Sequence, residues 1–523
     1  MTGPGIFLFL YGPPCAGKTS LGARLAERLR LPFYDLDGLI EAGQGSSIEQ
    51  IFAGQGEPGF RKIESAALAE LLECPPGLVA LGGGSLLDAG NRTRVERAGK
   101  VLCLQAGLDA LADRLRASAA VRPLLAGEPV TRLEKLMSQR AGHYDSFDLR
   151  LDTSRLQPEE TLEAAMLELG VFWVEGMGAG YPARVLAGGL GQAGALLRQA
   201  GLRGPLALVC DHNLAGLHAP QVEDSLQAAG YTVHRVVIPA GEQHKNLSSL
   251  AALWEDFLAA GLERGSTVVA LGGGVTGDLA GFAAATYLRG VAWANLPTSL
   301  LAMVDASLGG KTGIDLPQGK NLAGAFHPPA LVLADPGALD TLPPGELRSG
   351  LAEVVKHGLI GDPSLFDLCA GGFDGVQSNW ETIVRRSMAV KIRVIQADPY
   401  ERGLRAVLNL GHTIGHAVEQ ASQYRLRHGE AVAIGLAAET RLAERLGLAE
   451  TGLAEQVAAV LQALGLPDRI PPGLDPAAIR EAMRLDKKRT DGLVRFSLPV
   501  RVGETRHGIG VAADEALWEE VSS

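Results

Sequence analysis

Apolar positions in the first 170 residues come in short runs separated by amphipathic stretches. Residues 6–11 (IFLFLY) form an unbroken apolar run, the mark of a strand buried on both faces. A Gly-rich loop follows, then an Arg/Leu/Ala stretch of helical period over 18–30. Further apolar runs at 78–81 and 101–104, with helical stretches between, predict a β-α-β series with parallel strands. Residues 153–170 predict a closing helix. Chain breakers cluster over 171–183 (VFWVEGMGAGYPA), so a first domain at 1–172 and a linker at 173–180 are expected. A second α/β series spans 181–335, with strand-like runs at 206–210, 233–238, 267–271 and 330–334. From about 336 the pattern changes to long Ala/Leu/Glu/Arg helices, with almost no strand until 494–502, which predicts a mostly helical lobe over 336–523. The string VALGGG occurs at 79–84 and 269–274, but its flanks do not repeat. Two independent strand-to-turn junctions explain it better than a duplication.

Composition then narrows the class. A chain of 523 residues has room for about three domains. Net charge is −11, which argues against a nucleic-acid partner, since that needs a basic footprint. Cys15, Cys74, Cys103, Cys210 and Cys369 are odd in number and scattered, which points away from a disulfide framework and toward a reducing cytoplasm. No apolar run nears the roughly 18 residues of a membrane span, so no membrane role is expected. The apolar start of the chain lacks a basic flank, so it reads as a first strand and not a signal peptide.

The first candidate chemistry is Gly12-Pro-Pro-Cys-Ala-Gly17-Lys18-Thr19, a phosphate loop that follows a strand and opens a helix. Its backbone N–H groups and the helix N-terminus suit a phosphate, Lys18 suits the β/γ-phosphates, and Thr19 suits Mg²⁺. Asp35-Leu-Asp37 ends the next predicted strand, Phe60-Arg61 follows, and Gly82-Gly83-Gly84 ends a third. Arg122-Pro-Leu-Leu lies in a loop, and Arg140 precedes Tyr144 by four residues. Over about residues 5–155 this collection closely resembles shikimate kinase. The resemblance implies ATP with Mg²⁺, Asp35 supporting the metal, and Asp37 orienting the attacking hydroxyl of shikimate. It implies Arg61 and Arg140 as forks for the substrate carboxylate, Gly82–Gly84 as a close backbone approach, and Arg122 on a closing lid. The loop departs from the family's Gly-x-x-Gly-x-Gly-Lys form through Pro13 and Pro14, which carry no N–H.

The second half carries Asp211-His-Asn213, Gly241-Glu242-Gln-His-Lys245 and Gly272-Gly273-Gly274-Val-Thr-Gly-Asp278, each at the end of a predicted strand. Acidic groups at strand ends suit ribose hydroxyls and favour NAD. Asp278 also reads as a cap for a helix opening at Leu279. A dense series follows: Arg289, Thr298-Ser299, Asp305, Lys311, Lys320-Asn321, Glu353, Lys356-His357, Lys391, Glu401, Arg405, Asn409, His412, His416, His428 and Lys487-Lys488. So many cations beside His and Glu indicate a phosphorylated or carboxylated substrate near a metal. Spacing puts His412 with His416, and Glu353 with His357, on one helical face each. A catalytic zinc takes three protein ligands, and spacing alone does not choose them from these four and His428.

From about 181 to 503 the order and spacing of these blocks strongly resemble 3-dehydroquinate synthase. The resemblance implies Zn²⁺, with Co²⁺ as an alternative, on Glu353, His412 and His428. His416 then becomes an active-site hydrogen-bonding residue and His357 a bystander. It implies NAD contacts from Asp211, Asn213, Glu242, Lys245, Gly273, Gly274, Asp278, Thr298, Ser299, Lys311 and Lys320. Lys311, Lys356, Lys391 and Arg289 would hold phosphate and carboxylate. Asp305, Asn321, Arg405, Asn409 and His416 would position the substrate. The implied reaction turns 3-deoxy-D-arabino-heptulosonate 7-phosphate into 3-dehydroquinate and phosphate, with NAD used and regenerated. The expected whole is a bifunctional α/β enzyme. A phosphate-loop kinase domain precedes a dinucleotide-binding lobe and a helical metal-binding lobe, and the synthase part forms a homodimer. A different sugar-phosphate cyclase in the second half, or a non-catalytic nucleotide-binding first half, is the alternative.

Overall fold

The apolar run at residues 6–11 becomes the central strand Phe7–Tyr11, buried along its whole length. The computed structural model describes residues 6–117, 128–485, 489–490 and 493–516. Arg122 and Lys487-Lys488 lie outside them. The chain divides into two compact units, Met1–Trp173 and Val174–Ser523.

In the first unit five parallel strands lie in the order Phe33–Asp35, Leu78–Ala80, Phe7–Tyr11, Gly99–Gln105, Leu149–Asp152. Alternation along the central strand splits its side chains between two cores: Leu8 and Leu10 face one, Phe7, Phe9 and Tyr11 the other. Strand order reverses at Phe7–Tyr11, so a crevice opens beyond its carboxyl end. The Gly12–Thr19 loop leaves the sheet at that point. Helix Lys18–Leu29 follows it, and helix Pro158–Leu169 closes the unit near its expected place.

The second unit carries six parallel strands in the order Tyr181–Val185, Leu331–Ala334, Ala292–Pro297, Thr267–Gly272, Leu206–Asp211, Val233–Ile238. Four of them answer to the expected runs. Ala292–Pro297 was hidden by its polar Asn295 and closing Pro297, and Tyr181–Val185 by the breakers before it. An antiparallel hairpin, Lys311–Leu316 with Gly319–Phe326, was also missed, because its Gly and polar residues carry no clean alternation. Helices then dominate from Pro344. A late antiparallel pair, Leu493–Arg501 with Glu504–Val511, precedes a last short helix, Ala513–Ala516; only the first strand of the pair was expected. All five cysteines are free. No helix among the described residues is long and apolar enough to cross a membrane.

Candidate functional sites

In the first unit the crevice beyond the strand ends is a cavity of about 720 Å³ lined by residues from every expected motif that falls among the described residues. Lys18, Thr19, Asp35, Asp37, Arg61, Gly82–Gly84 and Arg140 all face it. Gly12 is glycine of necessity: φ is +132°, and a β-carbon would lie 2.2 Å from the Leu104 carbonyl oxygen. Helix Lys18–Leu29 has no side-chain cap, so its first N–H donors remain for a ligand. Lys18 Nζ rests on the Gly12 and Pro13 carbonyl oxygens, at 2.9 Å each.

Asp35 ends its strand and caps helix Leu36–Gln44, accepting from the N–H groups of Asp37 and Gly38. Its other oxygen accepts from the Thr19 hydroxyl at 2.7 Å. Asp37 therefore stands on the first helical turn, not on the strand. Burial, with Asp35 adding to it and Lys18 opposing, pushes the Asp37 carboxyl up to about 6.

Carboxylates on its own helix hold Arg61. Glu64 is wholly buried and pairs with Arg61 Nη1 at 2.6 Å, while accepting from Ser85 at 2.5 Å. Half-exposed Glu57 takes Arg61 Nη2 at 3.1 Å. Arg140 Nη1 donates to the Gly83 carbonyl at 3.1 Å, where the Tyr144 hydroxyl also donates at 2.8 Å. A β-carbon on Gly84 would lie 2.4 Å from Arg61 Nη2, so the glycine turn lets that guanidinium lie flat against backbone. Glu64 stands three residues after Arg61 on one helix, a spacing that would have flagged it.

In the second unit the expected cofactor residues sit at the carboxyl ends of four adjacent strands. Asp211 ends one, Glu242 and Lys245 follow the next, Gly272–Gly274 follow the third, and Thr298-Ser299 follow the fourth. Helix Gly274–Thr286 also lacks a side-chain cap. Asp278 is its fifth residue, so it does not cap a helix opening at Leu279. It pairs instead with buried Lys245 at 2.6 Å, and Lys245 also donates to Asn321 at 2.5 Å. Burial raises the Asp278 carboxyl against the pull of Lys245.

Three helices bring the candidate metal ligands together. Glu353 comes from the middle of Pro344–Gly361, and His412 and His428 are the first residues of His412–Ala421 and His428–Arg445. Glycines set the spacing: a β-carbon on Gly429 would lie 2.0 Å from the Ser349 carbonyl oxygen, and one on Gly435 1.9 Å from that of Gly411. Buried Glu439 then accepts from the N–H groups of Gly411 and Ile414, fixing the start of the His412 helix. His412 Nε2 lies 3.3 Å and His428 Nε2 3.6 Å from Glu353 Oε1. His412 Nδ1 faces the Leu410 carbonyl at 3.0 Å, and His428 Nδ1 faces Glu419 at 3.3 Å. Both lone pairs are thereby aimed at Glu353. Glu353 is fully buried, and neither oxygen accepts a well-formed hydrogen bond, although Lys356 and two imidazoles crowd it. Two partly buried imidazole nitrogens and a buried carboxylate fit a divalent cation. Burial disfavours charge on His428, but Glu353 and Glu419 outweigh it and raise its pKa to about 9, so without a cation Nε2 holds a proton toward Glu353, in the place that a bound cation would take.

Beside these ligands, Asp305 stands on a π-helical turn, Ala302–Ala306. Lys391 Nζ meets its carboxylate at 2.5 Å and its carbonyl at 2.6 Å; Lys356 Nζ lies 4.0 Å away. Burial alone would raise Asp305, but Lys391 and Lys356 hold it well below the usual carboxylate range. His357 is buried against Asp305, and burial with Lys356 pushes its pKa down to about 3, so it is neutral. Arg405 packs on Gly309 and donates to the Pro399 carbonyl. Its loop is organised by Asp398, which accepts three backbone N–H groups. Lys311 is half exposed and pairs with Glu401 at 2.5 Å. Asn409 ends the turn before His412. His416 is exposed one turn beyond His412, their rings 5.1 Å apart. Arg289 is not brought to this group: it is exposed on a left-handed turn with Leu288. Sequence reasoning missed Glu419, Glu439 and Asp398.

Comparison with known proteins matches both halves. Residues 14–169 match the shikimate kinase family, 235–349 the 3-dehydroquinate synthase N-terminal family, and 350–489 its C-terminal counterpart. A 3-dehydroquinate synthase of Symbiobacterium thermophilum is 46% identical over 344 residues, covering 65% of this chain and 96% of that protein. One from a Synechococcus strain is 48% identical over 332 residues, covering 62% and 90%. Among solved structures, ValA, a 2-epi-5-epi-valiolone synthase of Streptomyces hygroscopicus subsp. jinggangensis with NAD+ and Zn²⁺ bound, is 32% identical. It covers 65% of this chain and 97% of its own, with a TM-score of 0.60. A 2-deoxy-scyllo-inosose synthase complexed with carbaglucose-6-phosphate, NAD+ and Co²⁺ is 27% identical, covers 66% and 98%, and has a TM-score of 0.61.

Proposed function

The chain belongs to the 3-dehydroquinate synthase family and carries a shikimate kinase domain ahead of it, and from that premise we propose how its own residues serve two reactions. One reaction phosphorylates shikimate from ATP. The other converts 3-deoxy-D-arabino-heptulosonate 7-phosphate to 3-dehydroquinate and phosphate. When bound, MgATP supplies the phosphoryl group, NAD accepts and returns a hydride, and Zn²⁺ or Co²⁺ polarises substrate oxygens.

In the kinase half, Lys18 exchanges the Gly12 and Pro13 carbonyls for nucleotide phosphates. Thr19 and Asp35 hold Mg²⁺. Asp37, with a pKa near 6, orients the shikimate hydroxyl and takes its proton at neutral pH. Arg61 and Arg140 bind the carboxylate as planar forks. Glu64 and the Gly83 carbonyl keep those forks in place, and exposed Glu57 is the partner that the substrate displaces. Arg122 stabilises the charge of the transferring phosphoryl group.

In the synthase half, Asp211, Asn213, Glu242, Lys245, Gly273, Gly274, Asp278, Thr298, Ser299 and Lys320 bind NAD. Glu353, His412 and His428 hold the metal. Lys356, Lys391 and Lys311 take the substrate's phosphate and carboxylate. Asp305, Asn321, Arg405, Asn409 and His416 position its hydroxyls and carboxylate. Asp305 also keeps Lys391 and Lys356 side by side despite their like charge. The synthase part forms a homodimer, and a monomer in sedimentation at micromolar concentration would disprove that. Five free cysteines support a cytoplasmic location.

The observation that carries this reading is the convergence of Glu353, His412 and His428 against the Asp305–Lys391–Lys356 cluster. The test measures shikimate-dependent ADP formation and heptulosonate-phosphate-dependent phosphate release on one full-length preparation. Lys18→Met is expected to abolish only the first activity, and His412→Ala only the second. A wild-type chain lacking either activity, or a single substitution that removes both, would defeat it.

A further inference from the structure

Glu419 belongs to the same helix as His412 and His416 and shares their face. It is 6% exposed. Its Oε2 meets His428 Nδ1 at 3.3 Å, and its Oε1 accepts from Lys320 Nζ at 2.9 Å. Lys320 stands on the hairpin strand Gly319–Phe326, and its amine also lies 4.6 Å from the centre of the Tyr424 ring. One buried carboxylate therefore touches a candidate metal-ligating imidazole and a candidate cofactor-binding lysine at once.

We propose that Glu419 is a positioning residue that fixes the His428 ring with Nε2 toward the metal, and that Lys320 tempers it by sharing the same carboxylate. The proposal rests on Glu353, His412 and His428 being the ligands. An imidazole can offer only one lone pair, and the hydrogen bond on one nitrogen decides which. Glu419 claims Nδ1–H and leaves Nε2 for Glu353's side of the ring. A carboxylate behind a ligating imidazole also strengthens it as a donor. The ammonium of Lys320 on the other oxygen withdraws part of that charge.

His416, Glu419 and His428 also lie close enough to hold an ion themselves. Glu419 is the weaker first ligand of the two carboxylates, because each of its oxygens already has a partner, Lys320 on Oε1 and His428 Nδ1 on Oε2, whereas Glu353 Oε1 faces Nε2 of both His412 and His428.

The sharing predicts opposite signs. The full-length, metal-free chain is titrated with Co²⁺ against a competing chelator, and the visible d–d bands are followed. Glu419→Ala is expected to bind Co²⁺ about 10–100-fold more weakly and to shift the bands. Glu419→Gln keeps an acceptor without charge and falls between. Lys320→Met is expected to bind about two- to fivefold more tightly than wild type. Near-ultraviolet circular dichroism and shikimate-dependent ADP formation report folding. Should Glu419→Ala fail to fold, Glu419→Gln and Lys320→Met still decide by their opposite signs. If Glu419 and Lys320 form only a structural bridge, both classes of variant weaken binding alike, and the proposal is overturned. Glu353→Ala separates the two levels. Loss there with wild-type binding in Glu419→Ala overturns the positioning role alone, whereas wild-type binding in Glu353→Ala overturns the ligand set itself.

Discussion

Gly435→Ala tests whether the ligand helices are held at their separation by backbone contact. Gly435 lies on helix His428–Arg445, and a methyl group there would lie 1.9 Å from the Gly411 carbonyl oxygen and 2.8 Å from Gly415 N. Both obstacles are backbone, so no side chain can swing away. To restore an ordinary contact, the helices must part by about 1 Å. Alanine gains about 1 kcal/mol of helix propensity over glycine. Overpacking costs about 1–3 kcal/mol, and a backbone obstacle belongs at the upper end. The clash wins, with a net loss of about 1–2 kcal/mol.

The functional effect is expected to exceed the stability effect. Gly411 immediately precedes His412, and His428 opens the displaced helix. A displacement of about 1 Å costs on the order of 100-fold in rate. Phosphate release by the synthase half and Co²⁺ affinity should both fall by about that factor, while ADP formation by the kinase half stays at the wild-type rate. Gly375→Ala, which meets open space, is the neutral control. A Gly435→Ala chain with wild-type Co²⁺ affinity and phosphate release would refute the reasoning, because it would show that the helices part without moving His412.

Three other substitutions probe the charges. Asp37 has a pKa of about 6 in the folded chain against 3.8 ordinarily, so the native state holds the extra proton between those values and stability falls as pH rises through that window. Asp37→Asn is therefore expected to stabilise the kinase half by up to about 2–3 kcal/mol at pH 7 in urea unfolding, while abolishing its turnover. In the wild type, kcat/KM for shikimate should fall about tenfold per pH unit below 6, and a flat profile down to pH 5 would contradict the base role. Glu64→Ala frees Arg61 from its buried partner, so KM for shikimate should rise about tenfold with a smaller change in kcat; the reverse split would show that Glu64 acts on the chemical step. Asp305→Asn leaves Lys391 and Lys356 facing each other in the interior, which should cost about 3–5 kcal/mol in thermal or denaturant unfolding. An unchanged midpoint would mean that water already screens the cluster.

Much of both sites was legible because their chemistry is written in short local strings. The phosphate loop, the Gly272–Gly274 turn and the His412/His416 spacing each fall within eight residues and beside a strand or helix end. The topology then does what strand order requires: ends of neighbouring parallel strands supply one crevice. What stayed hidden were partners distant in sequence. Ser85 and Glu64 meet across 21 residues, Lys391 and Asp305 across 86, Lys320 and Glu419 across 99. No periodicity encodes such pairs. The strands that escaped notice, Ala292–Pro297 and the 311–326 hairpin, break alternation with glycine, proline and polar residues. Asp278 shows the opposite error, where a local rule offered a cap and the tertiary partner Lys245 took the carboxylate instead.

The two halves solve the problem of holding charge in different ways. The kinase half keeps its charges around an open cavity, where water pays much of their solvation and the backbone of a loop supplies the anion site. The synthase half buries Glu353, Lys356, His357 and Lys391 on packed helices. An apolar replacement of such a cluster would often be neutral or stabilising, so stability does not explain its presence. Its geometry does: Lys391 meets Asp305 and Lys356 meets Glu353, the single uncharged member is a neutral imidazole, and the other Glu353 oxygen faces Nε2 of both His412 and His428. A cation against Glu353 Oε1 and a charged substrate against the two lysines would complete that arrangement.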